Sequence, residues 1–178
     1  MCRINTANYK NCQTENGISI SGDRGLKVGF RGRCLPQLAP KKEFYKIWHD
    51  NIGKISEEEN IIFYMTEYYK QVLSKLDPQE VYDMIPDGSI LLCYEEPDEF
   101  CHRHIFAFWI ELFLGIHTAE VRENPQRETL TKLNRPEYLK PMLEKIIKEN
   151  YDMNGFDNIK DAYEFKKSKS TKKLIYAI

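Results

Sequence analysis

Residues 89–121 read Ser89-Ile-Leu-Leu-Cys-Tyr-Glu-Glu-Pro-Asp-Glu-Phe-Cys-His-Arg-His-Ile-Phe-Ala-Phe-Trp-Ile-Glu-Leu-Phe-Leu-Gly-Ile-His-Thr-Ala-Glu-Val121. Ile90 to Tyr94 is a short apolar run preceded by Pro86-Asp87-Gly88, which is the setting of a buried strand. An acidic, proline-containing loop follows. Ile105, Phe106, Phe108, Trp109, Ile110, Leu112, Phe113 and Leu114 then form a helix that is apolar on nearly every side, and such a helix is buried. Gly115 is a natural C-cap, and His117 to Val121 supplies the next strand. Strand, crossover helix and strand in this order make a βαβ unit and hence a parallel sheet. The expected fold class is α/β: a single compact domain with a mainly parallel sheet flanked by helices, plus a mostly helical C-terminal extension.

Upstream, residues 3–9 suit an opening strand and Ile18 to Ser21 a second. From Gly22 to Lys42 the chain is glycine-rich and basic, and the glycine density predicts a loop. A helix should follow Pro40, with Phe44, Ile47 and Trp48 on one face. Ser56 with Glu59 three residues on is a capping-box pattern, predicting a helix to about Leu76. Asp77-Pro78 starts a short third helix, with an acidic cap and proline at the first helical position.

Downstream, the division falls between an α/β domain over 1–122 and a helical extension over 123–178. Glu123 to Asn134 is polar and reads as a linker or extended arm. Leu139, Met142, Leu143, Ile146 and Ile147 are spaced for an amphipathic helix, and a second helix should run from Asp157 to about Lys166. The lysine tract at 166–173 reads as a solvated, mobile segment, and Leu174 to Ile178 as a strand or docking tail.

The bulk composition bounds the classes. A length of 178 residues fits one domain of ordinary size. A hydrophobic share of 42% allows a packed core, and a formal net charge of −1 argues against a wholesale polyanion binder while leaving room for a local basic surface. No apolar run reaches the roughly 18 residues of a membrane span, and Met1 to Asn5 lacks the apolar core of a signal peptide. Five cysteines without regular spacing do not make a disulfide framework. The expected setting is a reducing cytoplasm without a membrane partner.

Leu91-Leu-Cys-Tyr-Glu95, a short loop, then Cys101-His-Arg-His104 resembles the signature of the domain of unknown function 488 family. Asn5-Thr-Ala-Asn-Tyr9, Ile18-Ser-Ile-Ser21, Leu38-Ala-Pro40, and Val72-Leu73 ahead of Leu76-Asp-Pro78 are similar too, in the right order. The resemblance covers about residues 3–122. It implies a compact α/β domain and points to this loop, and it implies no particular activity.

Ligands of open α/β sheets bind outside the carboxyl ends of strands, so the loop from Cys93 to Arg103 is the candidate site. Cys101, beside His102, Arg103 and a helix start, is the candidate nucleophile. Glu95 and His102 are the candidate general acid–base groups. A phosphatase- or rhodanese-like loop on Cys93 is excluded, because the loop has no glycine, places Glu99 at the sixth position and carries four carboxylates. Both cysteines also read as small buried residues packing at the strand end. Cys93, Cys101, His102 and His104, with His117 or His49, are zinc-ligand types, but there is no Cys-x-x-Cys. Consecutive helical residues also point about 100° apart, so no cofactor is expected, and zinc is kept as the lesser alternative.

Arg103 would either fork onto a ligand phosphate or hold Glu95 or Asp98. Arg24, Lys27 and Arg31 suit phosphate contacts, unless their loop simply pairs with the acidic one. Tyr64, Tyr68 and Tyr69 read as core and rim packing. The expected ligand is a nucleotide, or a nucleotide unit of nucleic acid, at the Cys93–Arg103 loop. Two rivals are a cysteine-dependent enzyme and an interaction module that uses the apolar stripe of residues 136–150. The oligomeric state stays open.

Overall fold

The computed structural model describes residues 4–12 and 14–175, with side chains through residue 170. Six strands, β1 (Ile4–Asn8), β2 (Gly17–Ser19), β3 (Arg33–Cys34), β4 (Ser89–Cys93), β5 (Ala119–Asn124) and β6 (Thr129–Lys132), form one sheet in the order β3-β2-β4-β1-β5-β6. All neighbours are parallel except the β5–β6 hairpin. Around it stand α1 (Lys42–Asn51), α2 (Glu57–Gln71), α3 (Pro78–Met84), α4 (His102–Leu114), α5 (Leu139–Asn150) and α6 (Ile159–Ile175). The α/β class with a mainly parallel sheet is therefore what the chain forms. Among the described residues no helix is long and apolar enough to cross a membrane.

The β4-α4-β5 unit decides the arrangement. Side chains alternate along a strand: Leu91 joins Ile4, Ile18 and the helical residues in the main core, while Ile90 and Leu92 face the other side with Ala7, Ala119 and Val121. The helices thus cover one face, and on the other Tyr9, Cys12 and Phe30 pack against the small cluster. Helix α4 crosses over β1, which lies between β4 and β5. Of its thirteen residues, eleven are buried.

The helix signals hold in detail. Ser56 Oγ accepts from the Glu59 amide while the Glu59 side chain reaches back to the Ser56 backbone. The Asp77 carboxylate accepts from the amides of Gln79 and Glu80, and Gly115 takes the left-handed conformation at φ 70°. The α2 helix stops at Gln71, and Leu73–Lys75 is a 3-10 turn.

Several local expectations are corrected. Arg33–Cys34, inside the basic loop, is a strand beside β2. Ile47 is half exposed, whereas Phe44 is buried. The polar stretch after Glu123 is a hairpin arm. The lysine tract lies within α6, which continues through Leu174 and Ile175 where a strand or tail was expected; residues 176–178 lie outside the described residues. Leu139, Leu143, Ile146 and Ile147 of α5 belong to the main core, so the stripe proposed for a partner is covered from within, by α2 and α4.

Candidate functional site

The chain leaves β2 towards β3 on one side and leaves β4 towards β5 on the other. Connections that part in this way leave a crevice at the carboxyl ends of adjacent strands. A cavity of about 330 Å³ occupies it, within the size range of small-ligand sites. Its floor is Cys93 at the end of β4, Glu95 in the loop, and Cys101 and His102 at the start of α4. Tyr45 and Trp48 of α1, Tyr64 of α2 and Phe100 wall it, with Trp48–Tyr64 and Tyr64–Phe100 ring centroids 5.4 and 5.1 Å apart. Lys27, Lys42, Asp23 and Tyr94 stand at its edge, where the Tyr94 hydroxyl donates to the Asp23 carboxylate at 2.6 Å.

The floor is built by one departure from helical geometry. Cys101 is the N-cap of α4, extended at φ −156° and ψ 147°, so the 100° rotation between successive helical residues does not separate it from His102. His102 Nε2 lies 2.9 Å from the Ile20 carbonyl oxygen. A carbonyl only accepts, so Nε2 carries the proton and the Nδ1 lone pair points the other way. There it meets Cys93 Sγ at 3.6 Å and Cys101 Sγ at 3.8 Å. The three ligand atoms lie within 4.8 Å of one another, an arrangement able to hold a metal ion. The spacing argument against a metal is thereby corrected for these three residues.

Cys101 Sγ is hydrogen-bonded to Glu95 Oε2 at 2.9 Å. Burial, reinforced by Cys101, pushes the Glu95 carboxyl up to about 7. Burial opposes ionisation of the Cys101 thiol, but the hydrogen bond from Cys93 and the charges of Arg103 and His102 outweigh it and hold that thiol well below the usual range. Burial pushes the Cys93 thiol up. Burial also opposes a charge on His102, and Cys101 more than offsets this, raising the imidazole.

The other expected residues lie elsewhere. Arg103 does not line the cavity and does not hold Glu95 or Asp98. It is fully buried, with Nη2 and Nε 3.1 and 3.2 Å from the Glu120 carboxylate of β5 and Nη2 2.9 Å from the Glu96 carbonyl oxygen. Thr6 Oγ1 donates to the same carboxylate at 2.7 Å. Burial pushes the Glu120 carboxyl up and Arg103 pulls it the other way; the two short contacts mark an ion pair. His104 lies beside it, and burial with Arg103 pushes its imidazole down to about 3. His49 and His117 are not part of the floor cluster. Lys27 reaches the cavity, whereas Arg24 and Arg31 are exposed outside it.

Tyr45, Trp48, Phe100 and Lys42 were not among the expected site residues. Tyr45 and Trp48 come from α1, whose apolar face reads as core, while Phe100 and Lys42 lie in the two stretches that the sequence singled out. Comparison of the chain with protein-family models, with curated proteins and with solved structures finds no match.

Proposed function

We propose that the chain is a zinc-dependent hydrolytic enzyme whose pocket receives a nucleotide. The spacing of the three ligand atoms carries this reading. At tetrahedral zinc, bonds of about 2.3 Å to sulfur and 2.0 Å to nitrogen put a sulfur and a nitrogen roughly 3.5 Å apart and two sulfurs roughly 3.8 Å apart. The sulfur-to-Nδ1 separations are 3.6 and 3.8 Å. His102 gives its remaining N–H to a backbone carbonyl, the outer-shell partner that fixes the tautomer of a metal-ligating histidine.

Catalytic zinc keeps three protein ligands and leaves the fourth position to water, and all three of these residues line the cavity. A bound ion would supply a water activated for attack. Glu95, at 2.9 Å from Cys101 Sγ, is too close to be a fellow ligand and is suited to move the proton. In a hydrolysis there, Glu95 would take a proton from the attacking water and return it to the departing group. Only water is consumed. Aromatic walls accept a planar base, and Lys27 and Lys42 at the edge suit a phosphate. The resemblance of residues 3–122 to the domain of unknown function 488 family supports the location and lends no activity. A reducing compartment such as the cytoplasm would keep both thiols available.

The test is metal content after purification from zinc-supplemented cells. About one zinc per chain is expected, with loss in Cys93→Ser and His102→Gln, and a thiolate-to-cobalt charge-transfer band after cobalt exchange. A second reading is favoured by the contact between Cys101 and Glu95: a metal-free cysteine nucleophile. A chain without metal whose Cys101 alkylates faster than a free thiol at neutral pH would replace the first reading with the second.

A further inference from the structure

We infer that the substrate is a single-stranded polynucleotide, with one base in the cavity and the neighbouring phosphates held along the Gly22–Lys42 loop. The inference rests on the nucleotide reading above and deepens it. A free nucleotide engages one or two cations with its phosphate group, and Lys27 and Lys42 line the cavity for that. The same loop carries four more cations, Arg24, Arg31, Arg33 and Lys41, all exposed and none in the cavity wall.

Asp23 is the only carboxylate among residues 22–42, and it is engaged by the Tyr94 and Ser21 hydroxyls and the Gly25 amide. Arg24, Arg31 and Lys41 form no ion pair with a described residue, and Arg33 reaches only the Met84 carbonyl. The acidic loop across the crevice does not neutralise them: Glu96 pairs with Lys10. The basic loop is therefore a run of positive charge without ion pairs among the described residues, and both its ends, at Gly22 and Lys27 and at Pro40 and Lys42, line the cavity. An anion with a single phosphate leaves most of that charge unused, whereas a chain of phosphates uses it.

Two further features select a single strand. Tyr45 is 42% exposed at the mouth with its ring 5.5 Å from Trp48 inside, a stacking step from surface to interior for successive bases. The floor lies below that aromatic wall, so a base must leave its duplex partner to reach it. The exposed carboxylates Asp98 and Glu99 of the loop across the crevice repel phosphates, which favours a path along the basic loop.

The experiment is fluorescence anisotropy on the full chain. The probes are a labelled mixed-sequence single-stranded 12-mer as DNA and as RNA, the same sequence as a duplex, and unlabelled nucleoside 5′-monophosphates as competitors. The single strand should bind at least about tenfold tighter than any monophosphate at low salt, with log affinity falling against log salt at a slope of about −3 for four neutralised phosphates. Arg24→Gln/Arg31→Gln, and independently Arg31→Gln/Lys41→Gln, should each reduce that slope by about 1.4 and leave monophosphate competition and melting temperature unchanged. The DNA and RNA arms report which sugar is preferred.

A single strand that binds no tighter than a monophosphate overturns the inference and leaves the nucleotide pocket standing. A duplex that binds as well as the single strand also overturns it. If neither monophosphate nor oligonucleotide binds, the nucleotide reading falls with it.

Discussion

Two sides of the first turn of α4 hold the same kinds of residue and do opposite things with them. On the cavity side, Cys101 and His102 meet Cys93 and Glu95, with the two sulfurs 3.6 and 3.8 Å from His102 Nδ1. On the sheet side, one residue further, Arg103 closes on Glu120 and Thr6, and His104 lies in contact with the same carboxylate at 3.7 Å. The cavity side gathers two sulfurs and an imidazole nitrogen in an arrangement able to hold a metal ion. The sheet side neutralises its charge internally. His102 and Arg103, adjacent on one helix, are thus turned to the cavity and to the sheet by the 100° rotation between them. The guanidinium also ties the two sides together, because Nη2 holds the Glu96 carbonyl next to Glu95.

The sharpest way to break this division is to remove the guanidinium. Arg103→Ala leaves Glu120 buried without its cation, and breaking one partner of a buried pair costs about 3–5 kcal/mol. Urea denaturation should show that loss, the largest among the substitutions considered. Arg103→Ala/Glu120→Ala should recover part of it, because no buried charge is then left alone. If Arg103→Ala keeps its denaturation midpoint and loses only ligand affinity, Arg103 belongs to the cavity and the comparison is wrong.

A charge network at the other end of α4 tests how far burial matters. Glu111 accepts from Arg135 at 2.8 Å, the Thr118 amide at 3.0 Å and Lys140 at 3.1 Å, joining α4 to the chain leading into α5 and to α5 itself. Burial alone would raise its carboxyl, but Arg135 and the Thr118 amide outweigh that and hold it below the usual range. A depressed folded-state pKa contributes stability above the unfolded value of about 4.3 that is lost as pH falls through the folded one. Glu111→Gln should therefore cost about 2 kcal/mol at neutral pH, and the gap to the parent chain should close as pH falls below about 4. A gap that stays constant to low pH would mean that packing, and not charge, sets the cost.

The same geometry explains what could be read in the sequence. The β4-α4-β5 unit was legible because it depends on local patterns: an apolar run, a helix apolar all round and a glycine cap. The capping box at Ser56 and Glu59 and the start at Asp77-Pro78 are local as well. Strand β3 was hidden because two residues, Arg33 and Cys34, carry no period, and β6 because all four of its residues are exposed. Lysine is a good helix former, which the reading of the 166–173 tract as solvated and mobile passed over. The loop singled out in the sequence does line a cavity, but the way its residues assemble was not legible. Cys101 was treated as helical when it is an extended cap. The partner of Arg103 comes from β5, seventeen residues on, through a sheet register that no local pattern reveals.

The smallest expected effect is the most discriminating for the cavity side. Cys101→Ala removes a buried sulfur with no buried charge left behind, so in chelator-treated buffer it should cost only about 1 kcal/mol. Zinc held as proposed would bind the parent's folded state and not the variant's. At free zinc a hundredfold above the dissociation constant the parent should gain about 2.7 kcal/mol, so that the gap widens to nearly 4 kcal/mol. Parallel melts of both chains, with chelator and with zinc, read this directly. A gap that is the same in both buffers would mean that Cys93, Cys101 and His102 pack together without an ion, and the cavity side would then differ from the sheet side only in being open.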